Sequence, residues 1–503
     1  MQENRYDIVI IGAGLGGLIS AALLSKEGYK VCVLEKNKQI GGCLQSFGFD
    51  GKLFESAVHY IGSLDKGQTL YSIFNYLGII DTLALIRLDL DCFDEIRFGQ
   101  QSYRMAQGHE HFIDTLSASF PKEHNAIRAY VGEMRHVCEH FPMYNLRIGS
   151  AEEKKTVTSV GLKQKLDSIT TNEQLKQVLT GNNLLYGGHY EHTPFYLHAL
   201  IENSYIESSY KCRDGSAQIA KLLRDTILQH GGAVLRNVEV QQLIEKDGVL
   251  HYAEDNCGER YYAAHFISNL HPQTTFRMLE STTIRPIARR RFEALKNTMS
   301  CFVVNISLKE KQIPFVNHNI YFHTTDDAWK DAHDEISHGQ TSFGIFFTED
   351  KHHTTFATSI SVLTYLNAAA TAAWNDTFHT TSNRLERDED YQLFKHQHIN
   401  HIIDAVEQCI PGLKDAVKAI DAVTPLTYRD YLNTPQGSMY GIQKDVRTPN
   451  ETSLGTRTKI PNLYLTGQNI NLHGVLGVSI TGVLSAADFV GLDYLVTKIN
   501  KAQ

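Results

Sequence analysis

Gly12, Gly14 and Gly17 stand at the spacing G-x-G-x-x-G in the stretch IGAGLGGLIS, and an acid, Glu35, follows downstream. Residues of these types at this spacing can bind a dinucleotide. The first glycine permits a tight turn, the second lets backbone approach a pyrophosphate, the third packs a helix closely on a strand, and the acid accepts hydrogen bonds from ribose hydroxyls. The elements that must position them are also written in the chain. Ile8-Val-Ile-Ile11 is apolar and β-branched without alternation, which predicts a strand buried on both faces. Residues 18–27 are rich in Ala and Leu and predict a helix, whose N-terminal N–H groups and dipole would face the phosphates. Val31-Cys-Val-Leu34 predicts a second strand that delivers Glu35.

The chain continues KNKQIGG to Gly41 and Gly42. An acid, a short loop and a glycine pair resemble the FAD-binding flavoproteins of the amine oxidase and carotenoid desaturase superfamily, in which the pair lets backbone run beside an extended FAD. Gly187-Gly188 and Gly231-Gly232 lack the strand–turn–helix frame, so no second complete fingerprint is present. FAD is therefore the expected cofactor, with no dedicated NAD(P)H domain.

The chain has 503 residues, enough for two or three domains. A net charge of −8 argues against a nucleic-acid binder, which would need a basic face. The eight cysteines are scattered without a C-x-x-C pair and read as reduced thiols of a cytoplasmic protein. A strand beginning near residue 6 leaves no room for a signal peptide, and no apolar run of about twenty residues predicts a spanning helix. No metal is expected. The clusters His396/His398/His401 and His109/His111 lack the i,i+4 pair with a nearby acid, and His136 and His140 have that spacing without a second ligand cluster.

Further elements recur far along the chain: a helix at 216–230, short strands to about 252, an apolar strand running into Asn269, a strand at 463–465 and a helix from about Gly477. Two long aromatic-rich segments lie between. The expected fold is α/β: a Rossmann-type FAD-binding domain from residues 1–80, 205–275 and 455–503, interleaved with an α+β substrate domain from 80–205 and 275–455.

The stretch EKNKQIGGCLQSFGFDGKLFESAVHYIGSL resembles the same region of retinol saturases, which group with bacterial phytoene desaturases and plant carotenoid isomerases. The likeness extends through GGAVLRNVEVQQL, TPLTYRDYLNTPQGSMYGI and NLYLTGQNI. It implies that Gly12, Gly14, Gly17, Glu35, Gly41 and Gly42 hold the AMP–pyrophosphate half of FAD, with Cys43 where amine oxidases carry an Arg. Val240 matches a strand that pairs with adenine in relatives, or is an ordinary core valine. Gly467 and Gln468 match a loop near the ribityl chain, where many flavoproteins place an acid. Gly474 to Val478, with Gly477 and Val478 as the cofactor-binding residues, match the turn that starts the last helix, aimed at the flavin. Glu55 stands for the family Asp and Ala57 for its Gly. His59 and Tyr60 would lie beside the flavin, with Tyr440 from the distant segment, as candidate proton donors. The implied activity is FAD-dependent chemistry on C=C bonds of a lipophilic isoprenoid or polyene, most like a retinol saturase. Desaturation or isomerisation on the same scaffold is the alternative, and amine oxidation a weaker one. Such substrates would imply peripheral membrane contact.

Overall fold

The first apolar run forms a strand, β1 (Asn4–Ile11), whose residues Ile8, Val9 and Ile10 have no exposed surface. It pairs in parallel with β2 (Val31–Glu35) on one side and with the strand Arg260–Ser268 on the other. A strand inside a parallel sheet has both faces covered, which is why alternation is missing from its sequence. The protein is described by a computed structural model over residues 4–281, 283–329, 341–349, 355–380 and 385–502. Its first sheet runs in the order 233–236, 31–35, 4–11, 260–268, 249–255, 240–246 and 279–280, with the strand Leu463–Leu465 also pairing Arg260–Ser268. Three distant stretches of chain thus build one sheet.

The helix after β1, α1 (Leu15–Lys26), is buried on every side from Leu15 to Ser25 and so has no amphipathic stripe. It packs between the sheet and the last long helix, Gly474–Val490. The contact is close: a Cβ on Gly482 would lie 2.6 Å from the Ile19 side chain.

A second, seven-stranded sheet has the order 417–423, 300–308, 357–366, 342–349, 319–323, 94–98 and 101–105. Its residues alternate by face as a pleated strand requires. Phe302, Val304, Ile320 and Phe322 pack with the helix Glu389–Val406 in one core, while Cys301, Val303, Tyr321 and Phe346 join the core shared with the first sheet's helices. The second sheet therefore turns one face, carrying Tyr321 and Phe346, toward the segment that holds His59 and Tyr60.

Among the described residues no helix is long and apolar enough to cross a membrane, no three His, Cys, Asp or Glu side chains are grouped to hold a metal ion, and all eight cysteines are free.

Candidate active site

The glycine turn forms an open cradle. Gly12 sits at φ +95°, in the left-handed region that favours glycine, and its N–H donates to the Leu34 carbonyl at 2.8 Å. Gly41 N–H donates to the Ala13 carbonyl at 2.8 Å, which ties the second glycine pair to the first turn. Glu35 fastens both: its carboxylate accepts from the N–H groups of Ala13 and Asn37, each at 2.9 Å. Burial raises the Glu35 carboxyl above its ordinary range against the pull of those bonds. Ile11, Ala13 and Leu15 are buried, yet Gly12, Gly14 and Gly42 keep accessible surface between them. The start of α1 has no side-chain cap and no acid in its first turn, leaving N–H groups for an anion. These residues fit a dinucleotide.

Other residues approach the same place. A Cβ on Gly14 would stand 2.8 Å from Asn269 Nδ2, and one on Gly16 would stand 2.8 Å from Gly467 Cα. Asn269 Nδ2 donates to the Gly12 carbonyl at 3.3 Å, so Asn269 belongs to the cradle although its sequence gave no sign of it. Gly467 turns at φ +94°, and Gln468 beside it donates to the Met439 carbonyl at 3.4 Å. Val240 is 8% exposed in the core with Val9, Ile11 and Leu34, and Val238 N–H nearby donates to the Glu35 carbonyl at 2.9 Å. Burial pushes the Cys43 thiol up to about 11, so it stays neutral.

The last long helix begins at Gly474, the first residue of the expected turn and three before the expected helix start near Gly477. Gly474, at φ +76°, makes the turn, and Gly477 and Val478 are already inside the helix. The free N–H groups at this end are those of the first turn from Gly474.

That helix start, Tyr440, His59 and Tyr60 meet around a cavity of about 100 Å³, which Ala57, Gly477 and Leu200 also line. Tyr60 is the best connected. Its hydroxyl donates to Asp94 at 2.8 Å and lies 2.8 Å from the Tyr321 hydroxyl, while its ring stacks on Tyr205 at 4.2 Å. Asp94 is fully buried and also accepts from Asn319 at 2.8 Å. Burial lifts its carboxyl to about 6 against the pull of these bonds. Asn182 reaches from Asp94, at 3.5 Å, to Glu202, at 3.0 Å. Burial pushes Glu202 up to about 8, so it holds its proton at neutral pH. An ionised Asp94 takes the Tyr60 hydrogen bond. A protonated Asp94 can donate instead, which frees the Tyr60 hydrogen for the cavity.

His59 is different. Its ring stacks on Phe346 with centroids 4.0 Å apart and planes 3° apart, and its Nε2 is buried without a partner among the described residues. Burial, assisted by repulsion from Lys211, drives it down to about 3, so the imidazole is neutral. Tyr440 donates its hydroxyl to the Leu184 carbonyl at 2.6 Å and rests its ring on His473 at 4.3 Å. Asp94, Glu202, Tyr321, Phe346 and His473 carried no motif in the sequence, since each lies in a different segment.

The raised carboxyl of Glu202 has a consequence for stability. Above the unfolded value near 4.3 the unfolded chain releases this proton and the folded chain keeps it. Stability is therefore lost as pH rises from about 4 to about 8. Glu202→Gln is expected to flatten that fall, by at most about 1.4 kcal/mol per pH unit. Melting curves of both proteins across this range check it; parallel pH profiles would contradict it.

The fold and the glycine cradle define a Rossmann-like FAD-binding domain joined to a second, substrate-binding domain, the fold class of amine oxidases and other FAD oxidoreductases. The description NAD(P)-binding Rossmann-like domain matches residues 10–77. The chain is related along nearly its whole length to a group of retinol reductases and carotenoid isomerases. It is 26% identical to the Homo sapiens all-trans-retinol 13,14-reductase, covering 94% of this chain and 84% of that protein. It is 25% identical to an inactive all-trans-retinol 13,14-reductase of Danio rerio, covering 96% and 85%. A chloroplastic prolycopene isomerase 1 of an Oncidium hybrid cultivar is 24% identical over 96% and 84%. Among solved structures, an oxidoreductase from Methanosarcina mazei superposes with a TM-score of 0.65 at 16% identity, covering 95% of this chain and 98% of that one. A putrescine oxidase bound to putrescine superposes with a TM-score of 0.66 at 12% identity, covering 97% and 99%.

Proposed function

We propose that the protein is an FAD-dependent oxidoreductase that acts on a C=C bond of a lipophilic isoprenoid or polyene, in the direction of saturation. The observation that carries this reading is Tyr60, which is a wall residue of a mostly apolar cavity and whose hydroxyl is backed by buried Asp94. FAD, when bound, supplies the hydride chemistry. Gly12, Gly14, Glu35, Gly41, Gly42 and the first turn of α1 would hold it, with Gly467 and the start of the Gly474–Val490 helix completing the site. In this reading residues 1–80, 205–275 and 455–503 bind the cofactor, and residues 80–205 and 275–455 shape the substrate cavity.

The chain's own task is the proton. Saturation adds hydride to one alkene carbon and a proton to the other; Tyr60 gives that proton in this reading, and Asp94 replaces it. The cavity wall of Leu184, Leu200 and Ile201 excludes water and accepts a hydrocarbon chain. The likeness to all-trans-retinol 13,14-reductases favours saturation, and the likeness to prolycopene isomerase makes geometric isomerisation the second reading.

Anaerobic reoxidation of the dithionite-reduced protein by polyenes tests the proposal. Reoxidation with loss of one double bond is the expected result. Reduction of the oxidised protein by the polyene would mean desaturation, and a cis–trans change with no loss of unsaturation would mean isomerisation.

A further inference from the structure

Behind the His59–Phe346 stack lies a second cavity, of about 410 Å³. The two cavities adjoin, with Val58, His59 and Phe346 lining both. The larger one is lined by apolar Phe54, Phe315 and Phe347 and by polar Asn317, Glu349 and Glu55, the last hydrogen-bonded to Ser46 and Ser216, and its rim includes the exposed residues Leu53 and Arg213. Within it stands a basic side chain that the chemistry above does not use. Lys211, on the strand Ser209–Cys212, is 8% exposed. Its ammonium has one hydrogen-bond acceptor among the described residues, the Phe347 carbonyl, at 3.5 Å.

No described carboxylate comes within ion-pair distance of that ammonium. Asp94 and Glu349 act on it from farther off, and Glu349 is already bound to Arg213 at 3.1 Å. Burial lowers the Lys211 amine to about 8, which still leaves it mostly protonated at neutral pH. A buried cation with a single long hydrogen bond is costly, and an anion beside it would offset that cost. An ammonium also binds a carboxylate more strongly than a neutral hydroxyl.

Resting on the function proposed above, the geometry points to the larger cavity as the seat of the substrate's polar end: a carboxylate paired with Lys211, on a polyene or unsaturated chain that extends toward Tyr60. The substrate class is then a long-chain unsaturated acid rather than the matching alcohol or hydrocarbon. Lys211 binds; it takes no part in proton transfer.

Parinaric acid, a conjugated tetraene whose fluorescence rises in an apolar site, is a direct probe. It is titrated into the FAD-loaded protein at neutral pH beside its alcohol and its methyl ester. The acid is expected to bind at least about tenfold more tightly than either neutral form. Lys211→Met should erase that preference while changing alcohol binding by less than about threefold, and Lys211→Arg should keep part of it. If Lys211 merely balanced Asp94, the variant would shift acid and alcohol alike. Equal binding of acid and alcohol by the unaltered protein, or an equal loss of both in Lys211→Met, overturns the head-group assignment and leaves C=C chemistry standing if polyenes still reoxidise the reduced protein. Binding of none of the three, with no reoxidation by any polyene, overturns both. The acid–ester comparison needs no variant, so a Lys211→Met protein that fails to fold still leaves a decisive measurement.

Discussion

A Gly14→Val variant is expected to fold and to purify with less than about a tenth of the wild-type flavin. Gly14 precedes α1 at φ −72° and ψ 173°, a conformation open to any residue, so the backbone does not resist the change. Space does. A Cβ there would lie 2.8 Å from Asn269 Nδ2, and valine adds two methyl groups beyond it. Those methyls occupy the place where a pyrophosphate must approach the N–H groups of the helix start. Gly17 is a useful contrast. A Cβ at Gly17 would stand 2.3 Å from the Gly12 carbonyl oxygen, which is backbone and cannot swing away. Gly17→Ala should therefore cost folding itself, while Gly14→Val costs the ligand. Flavin absorbance per protein, read beside the melting temperature, separates the two. Gly14→Val with full flavin content would refute the cradle.

Most of the cradle was legible in the sequence because Gly12, Gly14, Glu35, Gly41 and Gly42 are local or follow from one strand–turn–helix unit; Asn269, which reaches the cradle from 257 residues away, was not. An apolar run without alternation reports a strand covered on both sides, and Ile8–Ile11 is such a strand. The end of β2 is fixed by its register with β1, with Ile11 opposite Leu34, which puts Glu35 at the turn. The start of the last helix was less legible. Gly474 and Gly477 both read as turn residues, and which one turns is decided by tertiary packing: Gly477 lies against Leu472, where a Cβ would come within 2.6 Å. The chemistry of the cavity was legible only in part. His59, Tyr60 and Tyr440 could be named, but not what each is bonded to. Tyr60 meets Tyr321 across 261 residues and Asp94 across 34, and no periodicity links them. The same holds for Lys211, one of many lysines in the chain until the fold buries it in the wall of the larger cavity.

Those bonds decide which side chain should matter most to the reaction. Tyr60→Phe is expected to keep fold and flavin, because the phenyl ring retains its stack on Tyr205. Removing the hydroxyl leaves Asp94 with Asn319 and Asn182 as donors, at a stability cost of about 1–2 kcal/mol. Alkene saturation should slow by roughly two to four orders of magnitude, the span for loss of a general acid. Flavin reduction by dithionite should not change, since that half-reaction does not use this proton. Saturation by the unaltered protein should also fall as pH rises through about 6, because an ionised Asp94 takes the Tyr60 hydrogen bond that a protonated Asp94 would return. His59→Ala is the comparison. A ring held neutral down to about 3 has no imidazolium to offer at neutral pH, so its loss should act through packing on Phe346 and slow saturation by about tenfold or less. Stopped-flow records of both half-reactions for the two variants rank them. If His59→Ala were the slower and Tyr60→Phe reoxidised at the normal rate, the proton would come through His59, and the Tyr60–Asp94 pair would be part of the wall and nothing more.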